Sequence, residues 1–235
     1  MNENPIQTQG MPPIPALPSM ICFRVTRFCN ARCGFCLAPP DGGKHPDATA
    51  LKERIHWLLS HRVKTIHFCG GEPTIHHALP ELISYVSSMG GKSKMTTNGM
   101  AISDQLIATL RNSKTEVKVS LHGDEQHHNR ILGRDAFDKT TDNIKRLLKA
   151  GIATSVQTTI ISGHLDMALW VVQFCIKNGV RRVSFLPFIP RGWGNTRRSE
   201  YGLSLEERKE LRKGVSEKRR EYIGQVRSEE HTSEL

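Results

Sequence analysis

The chain has 235 residues, 37% of them hydrophobic and 24% charged, with a formal net charge of +10. That is enough apolar content and length for one large α/β domain with its own core. The sequence holds no apolar run of roughly 18 residues or more. Its N-terminus lacks the basic start, apolar stretch and cleavage site of a secretory signal, so no membrane span and a cytoplasmic protein are expected. Much of the positive excess falls between Arg208 and Arg220 on one predicted helix with few aromatic residues. We read it as a solvated basic face, with an acidic or nucleic-acid partner as the alternative.

Residues 1–19 are polar and proline-rich and read as a flexible arm. From Met20 onward, short apolar runs alternate with amphipathic ones. Runs rich in Val, Ile, Phe and Thr predict strands over Met20–Thr26, Val63–Cys69, Lys92–Asn98, Thr115–Leu121, Ile152–Ile161 and Arg182–Ile189. Helices are predicted over Ala48–His61, Leu79–Met89, Asp104–Asn112, Phe137–Lys149, Leu165–Asn178 and Ser204–Tyr222. In the fourth of these, Phe137, Thr141, Ile144, Leu147 and Leu148 recur at helical spacing and give one apolar face. Gly90, Gly151 and Gly179 stand where helix C-termini need a glycine. Six β/α units in a row imply a parallel sheet with right-handed crossovers.

The last nine residues, RSEEHTSEL, match the translation of a common sequencing adapter. The domain is therefore expected to span residues 20–226, with the native reading frame continuing past about Val226.

The chemistry-bearing pattern is Cys29-Asn-Ala-Arg-Cys33-Gly-Phe-Cys36. A compact loop with that spacing can place three thiolates around one face of a cubane cluster and leave the fourth iron open. A zinc knuckle is the alternative, but structural zinc wants four ligands, and the candidate fourth, Cys22, falls inside the first predicted strand. Directly after the second strand stands Gly70-Gly71-Glu72-Pro73. Glycines there permit close backbone approach to a ligand, and a carboxylate after the turn can pair with an ammonium group. Thr96-Thr97-Asn98-Gly99 ends the third strand and Ser120-Leu121-His122-Gly123 the fourth.

In this order these motifs resemble the radical S-adenosylmethionine (SAM) superfamily over nearly the whole ordered chain. The resemblance implies a partial (β/α)6 TIM-like barrel of parallel strands with its site at the strands' C-terminal ends. It implies a [4Fe–4S] cluster on Cys29, Cys33 and Cys36, and SAM bound through Gly70, Gly71, Glu72 and Pro73, with Glu72 on the methionyl amino group. Ser120 is the implied ribose contact; Phe35 and Ile189 are the implied adenine neighbours. His122 stands where many relatives have aspartate. The reaction implied is reductive cleavage of SAM to a 5′-deoxyadenosyl radical, with an electron donor such as flavodoxin or ferredoxin.

Two segments, ICFRVTRFCNARCGFC and FLPFIPRGWGN, resemble the branch holding the molybdenum-cofactor GTP cyclase and PqqE-like peptide-modifying and haem-maturing enzymes. The GTP cyclase pattern has arginines where this chain has Cys22 and His67, and a lysine where it has Ser155, while Thr96 is retained. Arginine is the usual residue for phosphate recognition, so GTP is not the expected substrate. A peptide or small metabolite is, oriented by His67, Thr96 and Ser155, with His122, Gln157 and Arg191 completing a polar wall. An RNA-modifying radical SAM enzyme and a non-catalytic iron–sulfur or zinc protein are the other readings. The vicinal pairs His76, His77 and His127, His128 read as polar surface, and Cys69 and Cys175 as small buried hydrophobes.

Overall fold

The computed structural model describes residues 17–38, 45–221 and 227–230. Residues 1–16 of the proline-rich arm and 231–235 of the adapter-like tail lie outside the described residues.

In chain order the elements are β1 (Met20–Thr26), α1 (Ala48–Ser60), β2 (Thr65–Gly70), a 3-10 turn (Pro73–Ile75), α2 (Leu79–Ser88), β3 (Lys92–Thr97), α3 (Asp104–Asn112), β4 (Glu116–Ser120) and α4 (Glu125–Leu132). Then follow α5 (Phe137–Lys149), β5 (Thr154–Ile160), α6 (Asp166–Lys177), β6 (Arg182–Pro187), a second 3-10 turn (Gly192–Arg197), α7 (Arg198–Tyr201), α8 (Leu205–Glu221) and β7 (Arg227–Glu230). The strands form one sheet in sequence order, β1 to β7, and every pairing is parallel. β1 and β7 are its edges, so this is a partial barrel of the expected kind.

Strand alternation divides the side chains into two sets. One set packs under the helices: Ile66 and Phe68 of β2, Met95 of β3, Val117 and Val119 of β4, Val156 of β5 and Phe185 of β6 are all buried. The helices bring Leu51, Ile55, Leu82, Ile83, Leu106, Ile144, Leu147 and Val171 to the same core. The other set faces the barrel lumen and is polar: His67 of β2, Lys94 and Thr96 of β3, Lys118 and Ser120 of β4, Ser155 and Gln157 of β5.

Helix starts are set by side-chain caps. The Asp47 carboxylate accepts from Thr49 N and Ala50 N, and Ser103 Oγ accepts from Leu106 N. Ser204 and Glu207 make a reciprocal capping box at α8 (Glu207 N to Ser204 Oγ, 3.1 Å; Ser204 N to Glu207 Oε2, 2.8 Å).

Besides the two 3-10 turns and the four-residue α7, a helix and a strand were not predicted. Helix α4 is mostly polar, which hides its periodicity. Asp124 caps it by accepting from His127 N, and Gly133 closes it at φ +67°. Those two residues were the available signal. Strand β7 lies within the adapter-like string and has no apolar alternation. Its pairing satisfies backbone groups that the outer edge of β6 would otherwise expose.

Candidate active site

β1 carries a register shift between Arg24 and Thr26 against β2, a bulge at the point where the strand hands over to the cysteine loop. Thr26 Oγ1 then accepts from Phe28 N (3.1 Å), and Arg32 N donates to Leu132 O (2.9 Å). These contacts fold residues 29–36 over the C-terminal ends of the strands. A small apolar cluster supports the loop: Ala31, Ile131, Leu132, Ala136, Ile161 and Phe188, with Cys29, Cys33 and Phe35 packed against it.

Burial pushes the Cys33 thiol up to about 12, with Cys29 and Cys36 adding to the shift. Burial also raises Cys29 and Cys36; beside Cys36, a hydrogen bond with Ala38 and the Arg24 guanidinium pull the other way. The three thiols therefore lie close enough to sense one another. Yet among the described residues no three Cys, His, Asp or Glu side chains converge on a point that one metal ion could fill. Four thiolates on one zinc would sit ~4 Å apart, from a Zn–S bond of about 2.3 Å. In a cubane each thiolate binds its own iron, which spreads the sulfurs. Three thiols fit a cluster with one open iron, whereas a structural zinc site takes four ligands. Cys22 does not join it: its Sγ is 3.8 Å from His67 Nδ1 in the lumen.

The two glycines at the end of β2 have a reason that spacing alone did not show. A Cβ on Gly70 would lie 2.5 Å from Thr26 O, and one on Gly71 would lie 2.0 Å from Phe28 O. The close approach here is to the chain's own backbone, where Gly71 N donates to Thr26 O (2.9 Å) and Glu72 N to Phe28 O (2.7 Å). Gly71→Ala is expected to destabilise the fold by about 3 kcal/mol through overpacking, read as a lower urea midpoint; an unchanged midpoint would contradict this packing.

Glu72 is 2% exposed. Its Oε1 accepts from Thr74 N (3.1 Å), Thr74 Oγ1 (2.6 Å) and Thr97 Oγ1 (2.6 Å), and its Oε2 from Asn98 N (2.7 Å). Burial pushes its carboxyl above the usual range, and these donors pull against the shift. Asn98 Nδ2 in turn donates to Asn30 Oδ1 in the cysteine loop (2.7 Å). One carboxylate thus ties the end of β2 to the end of β3, and through Asn98 to the cysteines.

These parts meet on one cavity of about 290 Å³. Its walls include Cys29, Cys33, Phe35, Cys36, Gly70, Gly71, Glu72, Thr96, Ser120, His122, Gln157 and Ile189. Pro73 lies behind the wall, buried at the start of the 3-10 turn. His67 sits one level below, with Nε2 2.8 Å from Thr96 Oγ1. Ser155 is not brought to this cavity. It lines a second one at the other end of the strands, with Lys94, Glu116, Arg181 and Arg182. Arg191 is exposed beside the cysteine loop.

Sequence reading passed over several residues. Lys94 and Lys118 face the lumen, and after burial they are the causes that lower the His67 pKa. Arg24 Nη2 donates to Ala38 O (2.9 Å), pinning the exit of the cysteine loop. Gly192, at φ +58°, lets the segment after β6 lie on that loop: a Cβ there would be 2.4 Å from Cys36 O, and Trp193 N donates to the same oxygen (3.0 Å). Both ring nitrogens of His76 are engaged, with Pro46 O and Ala78 N, so it pins a loop. His127 and His128 are buried and not surface residues, because α4 turns them inward.

Known proteins place the chain. It is 30% identical over 145 residues to a GTP 3′,8-cyclase of Chlorobaculum tepidum, covering 59% of this chain and 44% of that one. It is 28% identical over 168 residues to the sporulation killing factor maturation protein SkfB of Bacillus subtilis, covering 69% and 41%. Among solved structures, SuiB of Streptococcus suis bound to precursor peptide SuiA superposes with a TM-score of 0.83 at 19% identity, covering 93% of this chain and 50% of that one. The chain thus spans about half or less of the length of these relatives. The profile of the Radical SAM superfamily matches residues 23–190. The chain therefore belongs to the radical SAM superfamily, whose enzymes use a [4Fe–4S] cluster and S-adenosylmethionine.

Proposed function

We propose that this chain carries the SAM-cleaving core of a peptide-modifying enzyme. The observation that carries the reading is the single cavity on which the three thiols, Glu72, Ser120 and Phe35 converge. When bound, the cofactors would supply the radical chemistry, reductive cleavage of SAM and hydrogen abstraction from the substrate. Cys29, Cys33 and Cys36 would hold three irons, leaving the fourth for the amino and carboxylate groups of SAM. Glu72 and the Gly70–Gly71 backbone would bound the methionyl end. Ser120 would meet the ribose, and Phe35 with Ile189 the adenine. The small apolar cluster backs Cys29, Cys33 and Phe35.

A peptide substrate is supported by SkfB, named as a maturation protein, and by SuiB with its bound precursor. GTP is disfavoured at the positions already named, where Cys22 and His67 stand in place of arginines. Thr96 and Gln157 line the cavity and would face the substrate, with His67 behind Thr96. An acidic flavodoxin or ferredoxin would supply the electron. No helix among the described residues is long and apolar enough to cross a membrane.

The test is anaerobic reconstitution followed by dithionite and SAM. Release of 5′-deoxyadenosine without any substrate is the expected result, because every residue assigned to the cofactors lies within residues 23–190. A fully loaded cluster that leaves SAM intact would refute the proposal. A salt-dependent RNA affinity would redirect it toward RNA modification.

A further inference from the structure

His122 follows the end of β4, and its surroundings determine its protonation atom by atom. The residue is 3% exposed. Its Nδ1 accepts from the backbone N–H of Thr159 (3.2 Å). An N–H group can only donate, so Nδ1 carries the lone pair and the ring's proton sits on Nε2. The backbone N–H of His122 donates to His128 Nδ1 (3.2 Å), and the two rings stack at 5.7 Å. Burial first, then His128 and His127, hold His122 well below its ordinary pKa. The ring is therefore a neutral donor in a fixed tautomer.

Among the described residues nothing accepts from His122 Nε2. The neighbouring His128 Nε2 is also unpartnered, but it is sealed inside the protein; His122 Nε2 is not among the sealed atoms, and its ring lines the cavity. A buried polar side chain that opens only toward a ligand pocket is built for a ligand acceptor. The ring stands edge-on to Phe35, with centroids 5.0 Å apart and planes at 70°. His122 also follows Ser120 by two residues at the end of β4, and both line the cavity.

We propose that His122 Nε2–H donates a hydrogen bond to the adenosyl group of the bound cofactor. This contact rests on reading the cavity as the SAM site. It reverses the polarity that an aspartate would give: a carboxylate only accepts, whereas this imidazole only donates to the ligand. His122 is thus a specificity-determining residue for an acceptor atom of the ribose or adenine.

Two substitutions separate ligand binding from packing. His122→Asn places an amide oxygen near Nδ1, keeping the Thr159 contact and deleting the donor. His122→Gln places an amide N–H near Nε2, keeping the donor and releasing Thr159. The probe is 5′-methylthioadenosine, which carries the adenosyl group without the methionyl end and needs no reductant. In the reconstituted protein, Asn is expected to weaken its binding roughly tenfold and Gln no more than about threefold. Urea unfolding should rank the variants the other way, Gln below Asn. The 2′-deoxy and 3′-deoxy forms of the probe then locate the acceptor. If the Asn variant no longer discriminates against one of them, the acceptor is that hydroxyl; if it still does, the acceptor is on the adenine. Parent-like binding by Asn, or equal loss in both variants, would overturn the contact. A parent protein that binds no methylthioadenosine would remove the adenosyl site itself, and the contact with it.

Discussion

Replacing Cys29, Cys33 and Cys36 together by alanine is expected to lower bound iron from about four per chain to background and to abolish 5′-deoxyadenosine release. The size of the effect follows from the donor set. The thiols share one short loop, and among the described residues no histidine or carboxylate lies where it could complete a metal site with them. Glu72, whose charge bears on Cys29 and Cys33, accepts hydrogen bonds from Thr74, Thr97 and Asn98. The fold should survive, because the cysteines pack on the small apolar cluster while the main core lies between the sheet and its helices. Circular dichroism and a melting curve would confirm that. Iron content in the triple variant equal to the parent's, or stoichiometric zinc in the parent, would refute the assignment. Thiolate ligation has to overcome thiols that burial holds protonated, Cys33 most of all. Iron loading should therefore release protons, measurable in a weakly buffered solution.

Glu72→Ala is expected to damage both stability and SAM binding. The sequence reading placed the carboxylate on the methionyl ammonium, which implies a loss confined to the cofactor. In the structure four protein donors already converge on it, so alanine would leave the Thr97 hydroxyl and the Asn98 N–H unpaired and buried. Each unpaired buried group costs about 1–3 kcal/mol, and we expect a net loss of about 3 kcal/mol in urea unfolding. The end of β3 would loosen, and with it the Asn98–Asn30 link to the cysteine loop. Lower cluster occupancy should therefore accompany weaker SAM binding. Glu72→Gln keeps one acceptor oxygen and should recover part of the stability. If Glu72→Ala melts like the parent and loses only SAM affinity, the carboxylate serves the ligand alone and the tie between strands is idle.

Much of this protein was legible in its residues because the signals are local. Short runs rich in Val, Ile, Phe and Thr marked the six strands, helical spacing marked α5, and the cysteine, glycine, TTNG and SLHG motifs each sit at a strand end. A parallel sheet built in sequence order then brings all those ends to one rim, so the site's membership followed from order alone. What stayed hidden depends on contacts between distant residues. Sequence places Ser155 and Gln157 two apart on one strand, yet only Gln157 reaches the main cavity, because height along the lumen is set by register against β4 and β6. Helix α4 escaped notice because its stability comes from a cap, a left-handed glycine and burial of His128, not from apolar spacing. Gly70 and Gly71 looked like space for a ligand, and the tertiary structure shows the chain's own Thr26 and Phe28 carbonyls there. Sequence by itself determined which groups this rim carries. Only the folded chain decided which of their polar atoms are spent on one another, as with Glu72, and which, as with His122 Nε2, are left facing the cavity. Hydrogen-bond satisfaction belongs to the whole packed structure and has no short-range trace in sequence.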